Sequence, residues 1–129
     1  TMHAGTEYTR SLNQSQIDFA RAVVDSGADL VIGAHPHWIQ TMENYKGVPI
    51  FYSLGNFVFD QMFSQDTKEG LMLKVELEKA SDKDLSQTSL KRIELMPVII
   101  ENYGQPRLAT EAEKQLIFKK IGVTSAVIE

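Results

Sequence analysis

Apolar residues along the chain recur in two rhythms, and each rhythm predicts one kind of element. Residues 13–27 (NQSQIDFARAVVDSG) carry apolar side chains at helical spacing and end on a glycine, which predicts a helix that stops at Gly27. The short apolar run ADLVIG, residues 28–33, follows at once and predicts a buried strand. A helix, a glycine and a buried strand in this order are typical of an α/β layer fold, in which ligands gather at the carboxyl ends of strands.

The middle of the chain predicts further strands. Residues 38–45 (WIQTMENY) predict a short turn or helical stretch that leads into a turn at Lys46 and Gly47. Residues 48–60 (VPIFYSLGNFVFD) predict a second strongly apolar strand region, interrupted at Gly55 and Asn56.

The last part of the chain predicts a hairpin and a helix. Residues 70–78 (GLMLKVELE) alternate apolar and polar side chains, and residues 90–100 (LKRIELMPVII) predict their antiparallel partner, with the polar segment 79–89 as a long loop. Residues 110–122 (TEAEKQLIFKKIG) predict a helix, because Thr110 and Glu113 form a capping box and Gly122 follows the last turn.

The composition excludes several classes of protein and of functional site. The chain has 129 residues, the size of one domain, and a net charge of −4, which argues against a general nucleic-acid binder. It contains no cysteine, so disulfides, thiolate metal sites and cysteine nucleophiles are excluded. No apolar run reaches the roughly 18 residues that span a bilayer, and the first residues do not form a signal peptide.

The histidines are the first candidates for chemistry. The chain has three, and two of them, His35 and His37, flank Pro36 directly after the predicted buried strand. Because a proline disfavours the helical region for the residue before it, we expect His35 to be extended and both imidazoles to point to one side. Neutral imidazole is a common ligand of transition metals, so the pair predicts either half of a metal site or a hydrogen-bonded turn. His3, before Gly5 and at the expected end of a strand, is the third candidate.

A few other residues lie near these motifs in the sequence. Glu7 and Asp60 are the nearest carboxylates, and each is interpreted either as a residue that supports a site or as a cap. Gly55 and Asn56 form either a simple turn or bulge, or a turn that brings the Asn56 amide to the same edge as the histidines.

Three segments together resemble a known family. MHAGTEY (residues 2–8), GADLVIGAHPHWIQ (27–40) and GVPIFYSLGNFVFDQ (47–61) are similar, in this order and spacing, to the CapA family of poly-γ-glutamate capsule-biosynthesis proteins. That family belongs to the calcineurin-like metallophosphoesterases. The resemblance implies an α/β fold that is the C-terminal half of a two-sheet sandwich flanked by helices, with residues 1–129 as a single, partial CapA-type domain.

The resemblance also implies a ligand set. It places His3 and His35 on one metal ion and His37 on a second, with Glu7, Tyr52 and Asn56 as further residues that line the site. Manganese, iron or zinc would suit such mixed ligation. No catalytic residue is identified by this sequence.

The superfamily's remaining ligands are an aspartate-x-histidine motif, a bridging aspartate and an asparagine–histidine motif, all upstream of its lone histidine. We therefore expect that an N-terminal half of the domain completes the site. We also expect that this chain alone binds metal weakly or not at all and has no hydrolase activity.

The function implied by the resemblance is capsule or poly-γ-glutamate biosynthesis or export, by a metal-dependent hydrolase in the intact protein. The setting would be the bacterial cell envelope, membrane-associated or extracellular, with other capsule-synthesis membrane proteins as partners and no nucleic acid. The alternative is a non-catalytic assembly or polymer-binding module that retains the fold. Unpaired strand edges of a half-sandwich predict oligomerisation or aggregation of the chain alone.

Overall fold

The computed structural model describes residues 1–81 and 84–129. It contains two sheets, two α-helices and one short 3-10 helix. In chain order the elements are β1 (Met2–His3), α1 (Gln14–Asp25), β2 (Val31–Ala34), β3 (Met42–Tyr45), β4 (Val48–Phe51), the 3-10 helix (Asp66–Lys68), β5 (Glu69–Ser81), β6 (Asp84–Glu101), β7 (Gln105–Leu108), α2 (Glu111–Ile121) and β8 (Val127–Ile128).

The first sheet has the strand order β1-β2-β4-β3. β2 is parallel to both β1 and β4, whereas β3 and β4 form an antiparallel hairpin closed by Lys46 and Gly47. Both turn residues have positive φ angles, 54° and 85°, which suits a tight two-residue hairpin. The predicted turn or helical stretch over 38–45 is therefore wrong for residues 42–45, because pairing with β4 decides the conformation of a segment too short to show a period of its own.

The second sheet is built around β6, which pairs with β5 on one side and with β7 and β8 on the other. The predicted antiparallel hairpin is confirmed. The predicted long loop over 79–89 is wrong, because β5 continues to Ser81 and β6 begins at Asp84, where the ladder satisfies the backbone groups of these polar residues. Residues 82 and 83, also part of that prediction, lie outside the described residues.

Both predicted helices are confirmed. Asn13 caps α1 by accepting a hydrogen bond from the Gln16 backbone N–H, and Gly27 follows the helix with a φ of 101°. α2 has the predicted Thr110–Glu113 capping box and ends at Gly122 in the left-handed region. Within the described residues, no helix is both long and apolar enough to cross a membrane.

The first sheet is buried on both faces, as neighbouring residues of β4 demonstrate. Ile50 and the adjacent Tyr52 pack toward α1, while Phe51, between them, packs toward the second sheet and α2. The predicted α/β class, with two sheets and flanking helices, is confirmed. The buried cluster on the α1 side consists of Met2, Ala20, Val24, Val31, Ile50 and Tyr52, and the one on the other side of Ile39, Phe51, Leu71, Ile93, Leu95, Ile99, Ile117, Phe118 and Ile121.

A cluster of four charged side chains, Arg10, Asp66, Glu69 and Lys120, joins distant parts of the chain. The Lys120 ammonium group donates to Glu69 Oε1 at 2.7 Å and to Asp66 Oδ1 at 2.9 Å, and Arg10 also donates to Asp66. Burial works to lower the pKa of Lys120, but the hydrogen bonds to Glu69 and Asp66 outweigh it and raise that pKa. The cluster therefore ties the loop before α1 to the last turn of α2.

Candidate metal centre

Strand pairing brings the first two histidines together. His3 ends β1 and is paired with Ala34, the last residue of the parallel strand β2, and His35 follows directly. Because parallel strands end at the same edge of a sheet, the two imidazoles become neighbours, with ring centroids 4.8 Å apart. We call this end of the first sheet, with His3, His35 and His37, the histidine edge.

The loop from His35 to His37 is not extended. Both histidines have positive φ angles, 107° and 61°, so the expectation of an extended His35 is wrong. The loop is held in this conformation by the Tyr8 N–H, which donates to the Pro36 carbonyl at 2.8 Å, and by the Ala4 N–H, which donates to the Ala34 carbonyl at 3.1 Å. Such backbone conformations cost about 1–3 kcal/mol each, and they persist only where surrounding contacts fix them. The imidazoles of His35 and His37 still lie near each other, with centroids 6.5 Å apart.

His37 has the most contacts of the three histidines. Tyr8 stacks on its ring at a centroid distance of 5.6 Å, and Phe59 lies at 5.1 Å. Its Nδ1 is 2.9 Å from Asn56 Oδ1, and its Nε2 is 3.8 Å from Glu7 Oε1. The structure thus brings Glu7 and Asn56, both singled out in the sequence, to opposite sides of the same imidazole.

Tyr52 and Asp60 have other surroundings. The Tyr52 ring is fully buried in the cluster under α1, and its hydroxyl donates to Glu43 Oε2 at 2.5 Å. Burial, together with this hydrogen bond, raises the pKa of the Tyr52 hydroxyl. Asp60 lies in an exposed segment, where its backbone carbonyl accepts from the Met62 N–H.

Two buried glutamines support the histidine edge from beneath, and the sequence interpretation missed both. Gln16 Nε2 donates to Gln40 Oε1 at 2.8 Å and to the carbonyls of Ala4 and Tyr52 at 3.3 Å, so it contacts the residue after His3. Gln40 in turn donates to the Thr9 carbonyl at 3.0 Å. A signal was present, because Gln16 occupies the same helix face as Ala20 and Val24, where a polar residue is unexpected.

The donor set of this chain fits part of a metal centre. The ring centroids of His3 and His35 are 4.8 Å apart and those of His35 and His37 are 6.5 Å apart, so the three imidazoles are candidate ligands that lie together at one end of the sheet. In residues 1–81 and 84–129, however, no group of three or more His, Asp or Glu side chains converges tightly enough to enclose an ion. Imidazoles alone leave the charge of two divalent ions without compensation, and Glu7, with Oε1 3.8 Å from His37 Nε2, is one carboxylate that the structure places beside them.

Sequence comparisons agree with the motifs at the histidine edge. Residues 1–61 match the profile of the family described as bacterial capsule synthesis protein PGA_cap. The chain is also 46% identical over 77 residues to the PGA biosynthesis protein CapA of Bacillus subtilis. The capsule biosynthesis protein CapA of Bacillus anthracis is 35% identical over 120 residues, which is 92% of this chain. The chain belongs to the CapA family.

A more distant relative is a probable polyglutamine synthesis accessory protein of Mycobacterium tuberculosis, which is 33% identical over 60 residues, or 46% of this chain and 16% of the relative. The match to the B. subtilis relative covers 60% of this chain and 20% of that protein, and the B. anthracis match covers 27% of its protein. The chain therefore spans about a fifth to a quarter of the CapA relatives that it matches.

Proposed function

We propose that this chain forms part of a metal-dependent, phosphoesterase-like hydrolase that acts in capsule or poly-γ-glutamate synthesis or export at the bacterial cell envelope. His3, His35 and His37 would be ligands of two divalent ions, manganese, iron or zinc. The remaining ligands would come from an N-terminal half of the domain, outside the present sequence. When bound, the two ions would stabilise negative charge on the reacting group of the substrate.

One observation carries this proposal: all three histidines of the chain lie at one edge of the first sheet, although they come from two segments about 30 residues apart. The edge is the carboxyl end of β1 and β2, where α/β folds place their ligands. The strained loop at His35 and His37 adds support, because backbone strain of this kind clusters at active and ligand-binding sites.

A second candidate function, a non-catalytic polymer-binding or assembly module, is favoured by a different observation. Exposed aromatic side chains lie beside His37: Phe59, which is 41% exposed, contacts its ring, and Phe63, which is 67% exposed, contacts the Tyr8 ring that stacks on it. Exposed apolar groups clustered beside a polar site are typical of interaction surfaces. This surface, which we call the aromatic rim, consists of Tyr8, Phe59 and Phe63.

The two candidates are separated by measuring bound metal. We would purify the full-length protein that contains this sequence and determine manganese, iron and zinc by elemental mass spectrometry, beside the double variant His35→Ala/His37→Ala. The hydrolase proposal predicts close to two equivalents in the wild type and a loss of at least one in the variant. The 129-residue chain alone is expected to retain far less metal, because its ligand set is incomplete.

The matched control is Glu111→Gln, which removes an exposed carboxylate in the first turn of α2, where it accepts a hydrogen bond from Gln115. It is expected to leave the metal content unchanged. A full-length protein without metal, even after incubation with each ion, would overturn the hydrolase proposal and favour the binding module. A metal content that survives the double histidine variant would mean that the ions bind elsewhere.

A further inference from the structure

We infer that Asn56 is a positioning residue that holds the proton of the His37 imidazole on Nδ1 and thereby leaves the Nε2 lone pair as the metal-binding atom. The ligand role of His37 rests on the function proposed above. The position of the proton does not, because it follows from the hydrogen bonds around the Asn56 amide.

The first step is the orientation of that amide. The Asn56 side chain is buried, and its Nδ2 is 2.9 Å from the backbone carbonyl of Thr67. A carbonyl oxygen only accepts hydrogen bonds, so the NH₂ group must face Thr67. The second neighbour of Nδ2, Gln61 Oε1 at 3.3 Å, is also an acceptor. With its nitrogen fixed by these partners, Asn56 must present its oxygen to His37.

The second step is the tautomer of His37. Asn56 Oδ1 can only accept, and it lies 2.9 Å from His37 Nδ1, so that nitrogen must carry a proton to make the bond. In a neutral imidazole the other nitrogen is then unprotonated. A hydrogen bond of this kind, from one ring nitrogen to a fixed acceptor, is how proteins orient histidine ligands and raise their basicity.

The third step is the anchoring of Asn56 itself. The chain at Gly55 bridges to Gly70 at the start of the second sheet, and the Asn56 carbonyl lies so close to Gly70 that a Cβ there would be only 1.9 Å from it. The Leu71 N–H also donates to the Leu54 carbonyl at 2.8 Å. Asn56 therefore belongs to a part of the backbone that contacts with the second sheet hold in place. Its side chain, fixed in this way, contacts His37 at the edge of the first sheet.

The free Nε2 faces the open side of the site. It is 3.8 Å from Glu7 Oε1, and the His37 and Glu7 side chains are 19% and 49% exposed. A cation that approaches from this side meets an imidazole lone pair with a carboxylate beside it, which is a favourable combination for a divalent ion. Asn56 therefore determines which ring nitrogen of His37 is available to a cation.

The test is the tautomer of His37 in the metal-free protein, read from two-bond proton–nitrogen correlations of the ¹⁵N-labelled 129-residue chain at a pH where the imidazoles are neutral. The three histidines are assigned by single replacement. We expect the Nδ1–H tautomer for His37, whereas free neutral histidine favours Nε2–H. An Nε2–H tautomer of His37 in the wild type would overturn the inference.

A matched pair of variants separates positioning from folding. Asn56→Leu and Asn56→Asp both lose the donor to Thr67, but only Asn56→Leu loses the acceptor for His37. We expect His37 to shift toward Nε2–H in Asn56→Leu and to keep a proton on Nδ1 in Asn56→Asp. Equal tautomers in the two variants would show that Asn56 has only a structural role and would overturn the inference.

The same variants in the full-length protein distinguish this inference from the proposed function. Asn56→Leu is expected to weaken metal binding 10- to 100-fold, the usual effect of losing an outer-shell partner, and Asn56→Asp much less. A protein with the expected tautomer that binds no metal would overturn the hydrolase proposal alone. A protein that binds metal equally well in all three forms would overturn the role of Asn56 alone.

Discussion

The two ends of the chain bury different kinds of side chain. Residues 1–61 bury polar groups beneath the histidine edge, and positive φ angles of non-glycine residues occur there at Tyr8, His35 and His37, besides Lys46 in the turn between β3 and β4. Among the described side chains from Leu71 onward, the buried ones are apolar, and the positive φ angles at Asn102 and Tyr103 belong to the ordinary turn between β6 and β7. Departures from local rules are expected at functional sites, so the difference favours the first region as the location of the proposed site and the second as its structural support. The buried polar residues of the first region are Gln16, Gln40, Ser53 and Asn56.

The support is physical, because the two regions share a core and a backbone junction. Phe51 of β4 packs in the same buried cluster as Ile93 and Leu95 of β6, and Gly55 bridges to Gly70. Changes in the second region should therefore reach the histidines, which Gly70→Ala tests directly, while the other substitutions below test the contacts that join the two regions or stabilise the second.

The largest effect is expected from Phe51→Ala. Phe51 is 2% exposed in the cluster shared by both sheets, so its truncation should lower the free energy of unfolding by about 3–5 kcal/mol. The measurement is urea denaturation followed by circular dichroism. Phe19→Ala, at a 52% exposed position on α1, is the matched control and should cost less than about 1 kcal/mol. Equal losses for the two variants would contradict the shared core.

Gly70→Ala tests the junction itself. A Cβ at residue 70 would meet the Asn56 carbonyl at 1.9 Å, so the two backbones would have to separate, at a cost of about 1–3 kcal/mol or more. We also expect the NMR signals of His37 to shift, because Asn56 moves. Gly47→Ala is the comparison: residue 47 has a φ of 85° but nothing within 4 Å, so it tests backbone strain alone. If the variant lost stability but the chemical shifts of His37 did not change, the contact between Gly70 and Asn56 would not position the histidine edge.

Lys120→Met tests the charged cluster that ties α2 to the loop before α1. The Glu69 side chain is only 5% exposed, and without Lys120 its remaining cation is Arg10 at 3.7 Å. An under-compensated buried carboxylate should lower the free energy of unfolding by about 1–3 kcal/mol in urea denaturation. The neighbouring Lys119→Met, at an exposed position, should be within about 0.5 kcal/mol of the wild type. If Lys120→Met left the free energy of unfolding unchanged, solvent would already screen the charges of the cluster.

The smallest effect is expected at the start of α2, and it depends on pH. The Arg107 guanidinium and the Thr110 backbone N–H lower the pKa of Glu113 from 4.5 to about 2. Because the pKa is lowered in the folded state, its contribution to stability is fully present above pH 4.5 and is lost as the pH falls toward 2. Glu113→Gln, which can still form a capping box, should therefore flatten the dependence of the urea midpoint on pH in this window.

The control for this pH effect is Glu111→Gln, in the same first turn. The pKa of Glu111 is also lowered, chiefly by a hydrogen bond from Gln115, but to a lesser extent. We expect the slope of stability against pH below 4.5 to change less in this variant than in Glu113→Gln. The reverse order would contradict the assigned pairing of Glu113 with Arg107.

Elements with their own periodicity could be predicted from the sequence. α1, α2 and the β5–β6 hairpin carry enough residues to show a period, and caps such as the Thr110–Glu113 box are local in sequence. The strands β3, β7 and β8 have two to four residues each and form through pairing with a neighbouring strand. Their existence is a property of the tertiary structure.

The sequence indicated which residues make up the candidate site, but not the backbone conformation that holds them. The spacing of the histidines and the resemblance indicated His3, His35 and His37, and the strand register explains why the first two meet. The backbone conformation of the His35–His37 loop depends on the hydrogen bond between Tyr8 and Pro36. These residues are 28 positions apart, so rules based on neighbouring residues cannot predict it. Rules for Pro36 alone gave the wrong conformation for His35.

The length of β6 has a consequence for the order in which the protein assembles. Its hairpin with β5 has a local starting point, because Ser81 pairs with Asp84, whereas every pair between β1 and β2 is separated in sequence by the whole of α1. Contacts between sequence neighbours close early, and long-range parallel pairing closes late. We therefore expect the histidine edge to be the last part to form and the first to open, so that backbone amides near His3 exchange with deuterium sooner than those of β6.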